Sequence, residues 1–460
     1  MTPPRTLPKG LLVAWYGDDF TGSAAVMEVL SFAGLPSVLF LDVPTLEQRE
    51  KFAGIRGLGI AGTARSQTPD WMAKQLPPVF SYLKSLDAPI THYKICSTLD
   101  SSPRIGSIGK AVDIAQPILH SPWIPFYVAA PPMRRYQCFG HLFAAAPGGV
   151  CRLDRHPVMA RHPVTPMNEA DVARHISLQT NRKTSVLDVE MLGSGRLPKS
   201  ISGHDGGIVM MDTVSLTDMR QVGKLIWGTR GDGVFAVGAQ GVEYALIAHW
   251  VEAGILTAAP PTESAGAVDR MVVVSGSVSE VTASQITWAQ QNGFDAVRLD
   301  IQALLSGGNN RQQETDRAVS AALQIIENGQ DPLIFSASGP DDPAIACFNT
   351  AIENAAIPAE QANHLIGETL GIILKRVLRK SGVRRAVISG GDTSGHATRQ
   401  LGIYALTALA PTTPGAALFE AHSDHPDFQG LQLALKGGQM GTTDYFGWIK
   451  NGGGAAGKKG

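Results

Sequence analysis

The feature that most limits the fold of this chain is a recurring pattern: a short apolar run, a glycine-rich turn, and then a segment with helical periodicity. The clearest case lies between Arg385 and Gly402, where the apolar run 386–388 leads into the glycine-dense turn 389–395. This pattern indicates a strand, a tight loop and a helix that Thr393 or Ser394 could cap. Repeated alternation of this kind predicts an α/β protein with mostly parallel sheets flanked by helices.

The alternation divides the chain into two α/β domains. Predicted strands of the first half are 11–16, 37–41, 58–61, 92–96, 126–130, 207–211 and 233–237, and those of the second half are 271–274, 296–299, 333–336, 386–388 and 431–435. A stretch of small and polar residues with two adjacent prolines predicts the linker. The predicted boundaries are 1–256 for the N-terminal domain, 257–267 for the linker, 268–450 for the C-terminal domain and 451–460 for a flexible tail.

The segment 131–167 follows neither the strand period nor the helix period. It contains several Pro and Gly residues, and an irregular excursion of this length is either a functional loop or a mobile surface segment. The sequence leaves both interpretations open.

Composition excludes several classes of function. The chain has 39 Lys and Arg residues against 40 Asp and Glu residues, so it lacks the basic excess of a nucleic-acid-binding protein or of one attracted to anionic membranes. The four cysteines form no C-x-x-C pair, and no apolar run approaches the length of a membrane span. We expect a soluble cytoplasmic protein, and the general frequency of homo-oligomers is the only reason to expect one here.

Three glycine or serine loops in the second half each follow an apolar run directly. They are Ser275-Gly276-Ser277, the turn 389–395 and the loop at Gly437-Gly438. If the preceding strands are parallel neighbours, all three loops open on one sheet edge, where a nucleotide or phosphate could contact them. Asp392 could hold a magnesium ion beside that phosphate. The alternative is a set of ordinary strand-to-helix turns.

The first half carries a different set of groups at its strand ends. Asp18 and Asp19 follow one predicted strand, Arg65 follows another, and Lys94 lies on a third. Such a mixture suits a hydroxylated acid, because Arg and Lys would bind its carboxylate and an Asp would orient or deprotonate a hydroxyl. Taken singly, Arg65 or Lys94 would more often form a surface ion pair.

Several common motifs are missing. Residues 452–458 match G-x-x-x-x-G-K, but Lys459 replaces the required Ser or Thr, so a P-loop is not indicated. The glycines near residue 390 do not fit G-x-G-x-x-G, and no G-x-S-x-G is present, which argues against a dinucleotide fold and an α/β-hydrolase.

Six short motifs occur in the order seen in the four-carbon acid sugar kinase family, which the chain resembles over nearly its whole length. These motifs are residues 17–22, 94–99, 162–167, 275–277, 390–393 and 436–441. The resemblance implies an N-terminal sugar-acid-binding domain, a C-terminal nucleotide-binding domain and an active site in the cleft between them.

The resemblance also implies roles for individual residues. Asp18, Asp19, Arg65 and Lys94 would bind the sugar acid. The nucleotide would contact Ser275, Gly390, Gly391, Asp392, Thr393, Gly437 and Gly438. The expected reaction is phosphorylation of a hydroxyl of threonate, erythronate or a 3-oxo relative by ATP with Mg²⁺, with one carboxylate of the Asp18-Asp19 pair, Asp19 by slight preference, as the base.

One motif departs from the family pattern. Members commonly have K-x-D-S-T-L-R-G where this chain has Cys96 in place of the acidic residue and Asp100 in place of the arginine. The change suggests an altered substrate, such as a larger or branched 3-oxo sugar acid. Two other functions stay open at this point: a sugar-acid phosphate isomerase or phosphatase, and a non-catalytic sensor of nucleotide or sugar acid.

Overall fold

The computed structural model describes residues 6–146, 148–162, 164–202 and 206–454. The chain divides into two compact units, Met1–Ala259 and Pro260–Gly460, and each contains a sheet with helices packed against it. The prediction of two α/β domains with mostly parallel sheets is confirmed. The division between the units falls inside the segment predicted as the linker.

Parallel strands form the main sheet of the first unit. The strands of this unit are β1 (Val13–Gly17), β2 (Ser37–Phe40), β3 (Gly57–Ala61), β4 (Ile90–Lys94), β5 (Ile124–Tyr127), β6 (Arg135–Cys138), β7 (His141–Ala146), β8 (Gly149–Arg152), β9 (Thr184–Leu187), β10 (Ile208–Met211) and β11 (Val234–Gly238). In the order β2-β3-β1-β4-β11-β5-β10-β9, each strand runs parallel to its neighbours. All five residues of the central strand β1 are buried, which explains its continuous apolar run.

Helices connect these strands. They are α1 (Phe20–Phe32), α2 (Leu46–Glu50), α3 (Pro69–Ser85), α4 (Ile108–Leu119), α5 (Val172–Ser177), α6 (Val189–Ser194), α7 (Lys199–Ser202), α8 (Leu216–Gly228) and α9 (Gly241–Glu252). Polar side chains fix several helix starts: Ser107 caps α4 and Ser215 forms a capping box at α8.

The second unit has a mixed sheet. Its strands are β12 (Val272–Ser275), β13 (Phe294–Arg298), β14 (Asp331–Phe335), β15 (Arg385–Ser389), β16 (Ile403–Ala410), β17 (Leu418–Ser423) and β18 (Leu431–Lys436). The run β13-β14-β12-β15-β18 is parallel, whereas β17 pairs antiparallel with both β18 and β16. The helices are α10 (Glu280–Gln290), α11 (Ile301–Leu305), α12 (Gly308–Glu327), α13 (Pro343–Ala355), α14 (Ala359–Ser381), α15 (Gly391–Gln400) and α16 (Tyr445–Lys450).

The segment 131–167 is more regular than its sequence indicates. It contains β6, β7 and β8, which form a small antiparallel sheet. The pattern is weak because β7 ends in three alanines and β8 begins with Gly149, residues with low preference for strands. Most residues of this sheet are only partly buried, so the apolar alternation that marks a strand is lost.

The start of the predicted tail also differs. Gly452, Gly453 and Gly454 are buried, and the N–H of Gly454 donates to the carbonyl of Pro411 at 2.7 Å. These residues therefore pack against the second unit, and residues 455–460 lie outside the described part of the chain. None of the described helices combines the length and apolar character needed to cross a membrane.

Candidate active site

The carboxyl ends of three parallel strands bring together the four charged residues predicted for the first unit. Gly17 at the end of β1 is in register with Ala61 of β3 and with Lys94 of β4. The N–H of Asp18 donates to the carbonyl of Lys94, and the N–H of Arg65 donates to the carbonyl of Asp18, both at 2.9 Å. The backbone thus fixes the loops after β1 and β3 against the end of β4.

Arg65 joins the two carboxylates. Its Nη2 donates to Oδ1 of Asp18 at 2.7 Å and to Oδ1 of Asp19 at 2.6 Å. Its Nε is buried and has no hydrogen-bond partner among the described atoms. A single guanidinium therefore bridges a pair of adjacent acids and still has a donor unused.

Asp19 is also the N-cap of α1. Its Oδ1 accepts from the N–H of Gly22 at 3.1 Å, and its Oδ2 accepts from Oγ1 of Thr21 at 2.7 Å. Burial, the largest single influence, acts to raise the pKa of Asp19, but Arg65, Lys94 and these hydrogen bonds together outweigh it and lower that pKa. Asp19 is consequently an ionised carboxylate with both oxygens occupied.

Asp18, the residue before Asp19, differs from it in protonation. Its side chain is 1% exposed, and burial raises its pKa to about 6, with the neighbouring Asp19 adding to the effect against the opposing charges of Arg65 and Lys94. A carboxyl group with a pKa near neutrality exchanges a proton readily in the physiological range. The two adjacent carboxylates are therefore distinct in protonation.

Lys94 occupies space that Gly22 leaves open. A Cβ on Gly22 would lie 2.8 Å from Nζ of Lys94 and 2.3 Å from Oδ1 of Asp19, so a larger residue would displace both groups. Nζ donates to the carbonyl of Ile95 at 2.7 Å, and the N–H of Ile95 donates to the carbonyl of Gly238 at 2.8 Å.

A buried His–Glu pair contacts the carbonyl of Gly238 as well. Nδ1 of His92 lies 2.7 Å from Oε1 of Glu243, and Nε2 of His92 lies 3.1 Å from the carbonyl oxygen of Gly238. Both side chains are fully buried. Ile95, whose carbonyl accepts from Nζ of Lys94, is thus held in place by contacts that involve β4, β11 and α9.

The loop after β4 contains the two positions that depart from the family pattern. Sγ of Cys96 lies 3.0 Å from Oγ1 of Thr98. The carboxylate of Asp100 accepts a hydrogen bond from Oγ1 of Thr165 and lies 3.8 Å from Nδ1 of His162. The segment 131–167 therefore contacts the loop beside the charged residues. Pro163, which belongs to the same motif, lies outside the described residues.

In the second unit, the three predicted loops do open on one sheet edge. Strands β12, β15 and β18 are neighbours, and their ends are aligned so that Ser389 pairs with Ser275 on one side and with Lys436 on the other. The N–H of Gly276 donates to the carbonyl of Ser389, and the N–H of Gly390 donates to the carbonyl of Lys436.

Helix α15 begins at this edge without a side-chain cap. Its N-cap is Gly390, so Thr393 and Ser394 lie inside the first turn, and the prediction that one of them caps the helix is wrong. Gly390 has φ +120°, and a Cβ there would lie 2.9 Å from Oγ1 of Thr393. The close approach of the loops requires glycine at this position. The uncapped N–H groups at the start of a helix favour an anion.

Hydroxyl groups from α10 tie the first and third loops together. Oγ1 of Thr282 lies 3.0 Å from both the carbonyl oxygen of Gly438 and Oγ of Ser277, and Oγ of Ser279 donates to the same carbonyl. Residues 279 and 282 were not among the predicted site residues. Their signal in the sequence is the spacing of Ser279, the N-cap of α10, and Thr282 three residues later.

Lys436 was also missed as a site residue. Its side chain is 0% exposed at the end of β18, and Nζ donates to Oγ1 of Thr282 at 3.0 Å and to Oγ of Ser389 at 3.1 Å. Burial lowers the pKa of Lys436 to about 7.

The metal prediction rests on Asp392. Its backbone lies in the first turn of α15, and its side chain lies outside the described part of the structure. Among the described His, Cys, Asp and Glu side chains, no group of three or more is arranged to hold a metal ion.

Comparison with known proteins shows that the two units match the two domains of one protein family. Residues 13–246 match the family model of a sugar-binding N-terminal domain, and residues 272–446 match that of a nucleotide-binding C-terminal domain. The chain belongs to the family built from these two domains. The resemblance found in the sequence is thereby confirmed, and the two units can be called the sugar-binding and nucleotide-binding domains.

Curated relatives of this family match both domains. The 3-oxo-isoapionate kinase of Paraburkholderia graminis is 42% identical over 97% of this chain and 95% of its own length. The 3-oxo-tetronate kinase of Cupriavidus necator is 27% identical over 96% of this chain and 97% of its own length.

Solved structures show the same fold. A protein of Salmonella typhimurium LT2 has a TM-score of 0.76 at 23% identity, covering 95% of this chain and 98% of its own. The Haemophilus influenzae protein HI1011 has a TM-score of 0.70 at 22% identity, covering 95% and 99%.

Proposed function

We propose that this protein is a kinase that transfers the terminal phosphoryl group of ATP to a hydroxyl of a small sugar acid. The observation that carries the proposal is the 42% identity to 3-oxo-isoapionate kinase over 97% of the chain, because this match includes both domains that such a transfer needs. Each domain, described by itself, has chemistry suited to one of the two substrates.

The sugar-binding domain would bind the acid through its cations. Lys94 is a buried ammonium at the strand ends, and the unpaired Nε of Arg65 is a donor for which an acceptor on a bound substrate provides a partner. Asp18 is the base we propose for the attacking hydroxyl, since its pKa of about 6 suits proton transfer near neutral pH. Asp19, with both oxygens engaged, would orient Arg65 and the start of α1.

The sugar acid we propose is a branched 3-oxo acid of the 3-oxo-isoapionate type. Identity to the kinase named for that acid is 42%, against 27% for the 3-oxo-tetronate kinase of Cupriavidus necator. Cys96 and Asp100 change the loop after β4, and Thr165 and His162 hold Asp100 there. This altered loop is the part of the domain to which we assign the substrate preference.

The nucleotide-binding domain would hold the triphosphate at the aligned ends of β12, β15 and β18. We propose contacts from Ser275, Gly390, Gly391, Asp392, Thr393, Gly437 and Gly438. Mg²⁺ bound with ATP neutralises developing charge on the phosphates and takes many of its ligands from phosphate oxygens and water. Asp392, at the start of α15, is the residue we propose beside it.

The decisive experiment measures ADP release from ATP and Mg²⁺ with 3-oxo-isoapionate, 3-oxo-tetronates, threonate and erythronate. We expect the highest kcat/KM with the branched acid, and Asp18→Asn should remove activity with all of them. Activity with 3-oxo-tetronate alone would refute the substrate preference. Binding of a phosphorylated sugar acid without any affinity for ATP would refute the kinase and favour an isomerase or phosphatase.

Asp392→Ala tests the nucleotide site separately. We expect loss of ATP binding in calorimetry with sugar-acid binding retained, because the substitution affects only the second unit. An unchanged ATP affinity would refute the assignment of Asp392.

A further inference from the structure

Lys436 is a buried amine whose hydrogen-bond partners are all neutral. Its side chain is fully buried, and the hydrogen-bond acceptors of Nζ are the hydroxyls of Thr282 and Ser389. An ammonium removed from water is strongly disfavoured unless an anion compensates it. Nζ in its charged form has three hydrogens, and these two hydroxyls accept only two of them.

Charged groups on the surrounding elements do not supply that anion. The titratable groups with described side chains on α10, α15, β15 and β17 are Glu280, His396, Arg399, Arg385, Glu420 and His422. Of these, Arg385 and Glu420 are in register with Gln432, four residues before Lys436 on β18. Within the described part of the chain, none of them forms a hydrogen bond or ion pair with Lys436, and burial is the cause that lowers the pKa of Lys436. The side chain of Asp392 lies outside that part.

The position of Lys436 relates it to the phosphate-type loops. Its carbonyl accepts from the N–H of Gly390, and its Nζ donates to Oγ of Ser389, the last residue of β15. Thr282, the other partner, contacts the carbonyl of Gly438 in the third loop. The ammonium therefore lies where the loops after β15 and β18 meet, close to the uncapped start of α15.

We propose that the side chain of Lys436 forms an ion pair with a phosphate group of the bound nucleotide, and that Nζ takes up a proton from solvent when the nucleotide binds. This inference rests on the proposed nucleotide site and adds to it a residue and a proton. The empty site would hold Lys436 largely neutral above pH 7, since neutral Nζ is satisfied by two hydroxyls. A phosphate dianion nearby would favour the charged form.

Isothermal titration calorimetry with ATP and excess Mg²⁺, in two phosphate-free buffers of different protonation enthalpy, gives the number of protons taken up. With a pKa of about 7 in the empty site, uptake by the wild type should rise from about 0.1 proton at pH 6 to about 0.9 at pH 8. Lys436→Met should remove this pH-dependent uptake and weaken ATP binding by about tenfold or more. Lys436→Arg should bind ATP with no uptake, because its charge is permanent.

Lys380→Met, on an exposed part of α14, is the matched control and should leave both quantities unchanged. ATP binding with wild-type affinity and proton number in Lys436→Met would overturn this inference alone. If Lys436→Met fails to fold, proton uptake by the wild type that does not change between pH 6 and pH 8 would overturn it. Absence of ATP binding by the wild type would overturn both the inference and the nucleotide site on which it rests.

Discussion

Replacing Asp18 by Asn should stabilise the free protein while it removes activity, and the gain should grow with pH. The pKa of Asp18 is raised from 3.8 to about 6 in the folded state. The group therefore contributes stability that is fully present below pH 3.8 and is lost as the pH rises through about 6. At high pH the loss amounts to about 3 kcal/mol, since each pKa unit corresponds to about 1.36 kcal/mol.

Of this loss in the free energy of unfolding, about 1.4 kcal/mol occurs between pH 5 and pH 8. Asn keeps the size of the side chain and an oxygen that accepts from Arg65, but it does not ionise. The unfolding free energy of Asp18→Asn minus that of the wild type should therefore increase by about 1.4 kcal/mol across this range. The corresponding relative gain in Tm is about 3–6 °C for a domain of this size.

Tryptophan fluorescence during urea or thermal unfolding is a suitable assay. The tryptophans of the first unit are Trp15, Trp71, Trp123, Trp227 and Trp250, five of the seven in the chain. Measurements at pH 5, 6, 7 and 8, without substrates, give the difference between variant and wild type at each pH.

Asp19→Asn is the matched control. The pKa of Asp19 is lowered, so the stability that Asp19 contributes is lost only as the pH falls below its ordinary value. The difference between Asp19→Asn and the wild type should thus be constant from pH 5 to pH 8, with the variant less stable. A difference for Asp18→Asn that is also constant over this range would refute the reasoning, because it would mean that Arg65 keeps Asp18 ionised throughout.

Three further predictions concern activity and substrate binding. The kcat/KM for the sugar acid should fall on the acid side of about pH 6 as Asp18 is protonated, and a limb that stays flat down to pH 5 would exclude Asp18 as the base. Lys94→Met should raise the KM for the sugar acid by about 10–100-fold, the loss of a charged hydrogen bond, and spare the KM for ATP; the reverse pattern would mean that the two substrates bind in the opposite domains. Gly390→Ala should weaken ATP binding by about tenfold or more, because φ +120° strains alanine. Gly395→Ala in the same helix, where a Cβ meets open space, should bind ATP normally, and equal weakening in both variants would contradict the role given to Gly390.

Local signals in the sequence were sufficient for most of the parallel strands and their loops, but the parallel strand β9, only partly buried at three of its four residues, was not predicted. Strands such as β12, β15 and β18 are buried on both faces, so each appears as an apolar run that stops abruptly at a polar or glycine residue. Because parallel neighbours align their carboxyl ends, the meeting of Asp18, Arg65 and Lys94 followed from the same signals. The antiparallel strands β16 and β17 are only partly buried at several positions, and they were not predicted.

Properties that depend on burial could not be predicted from the sequence. Asp18 and Asp19 are identical neighbours, and only the fold makes one a helix cap and the other a buried acid. Lys436 belongs to a recognised motif, yet its lack of a charged partner becomes visible only when Thr282 and Ser389 are placed around it. Long-range packing, which residue spacing does not encode, decides both cases.

The buried pair formed by His92 and Glu243 provides a hydrogen-exchange probe of how often the core of the sugar-binding domain opens. A carbonyl oxygen only accepts hydrogen bonds, so Nε2 of His92, facing Gly238, carries a hydrogen, and a second proton lies between Nδ1 and Oε1 of Glu243. Both side chains are fully buried, so these protons reach solvent only when β4 and α9 separate. In D₂O, two persistent imidazole N–H resonances would report how often the protein core beneath Lys94 opens, and substrate binding should slow their disappearance.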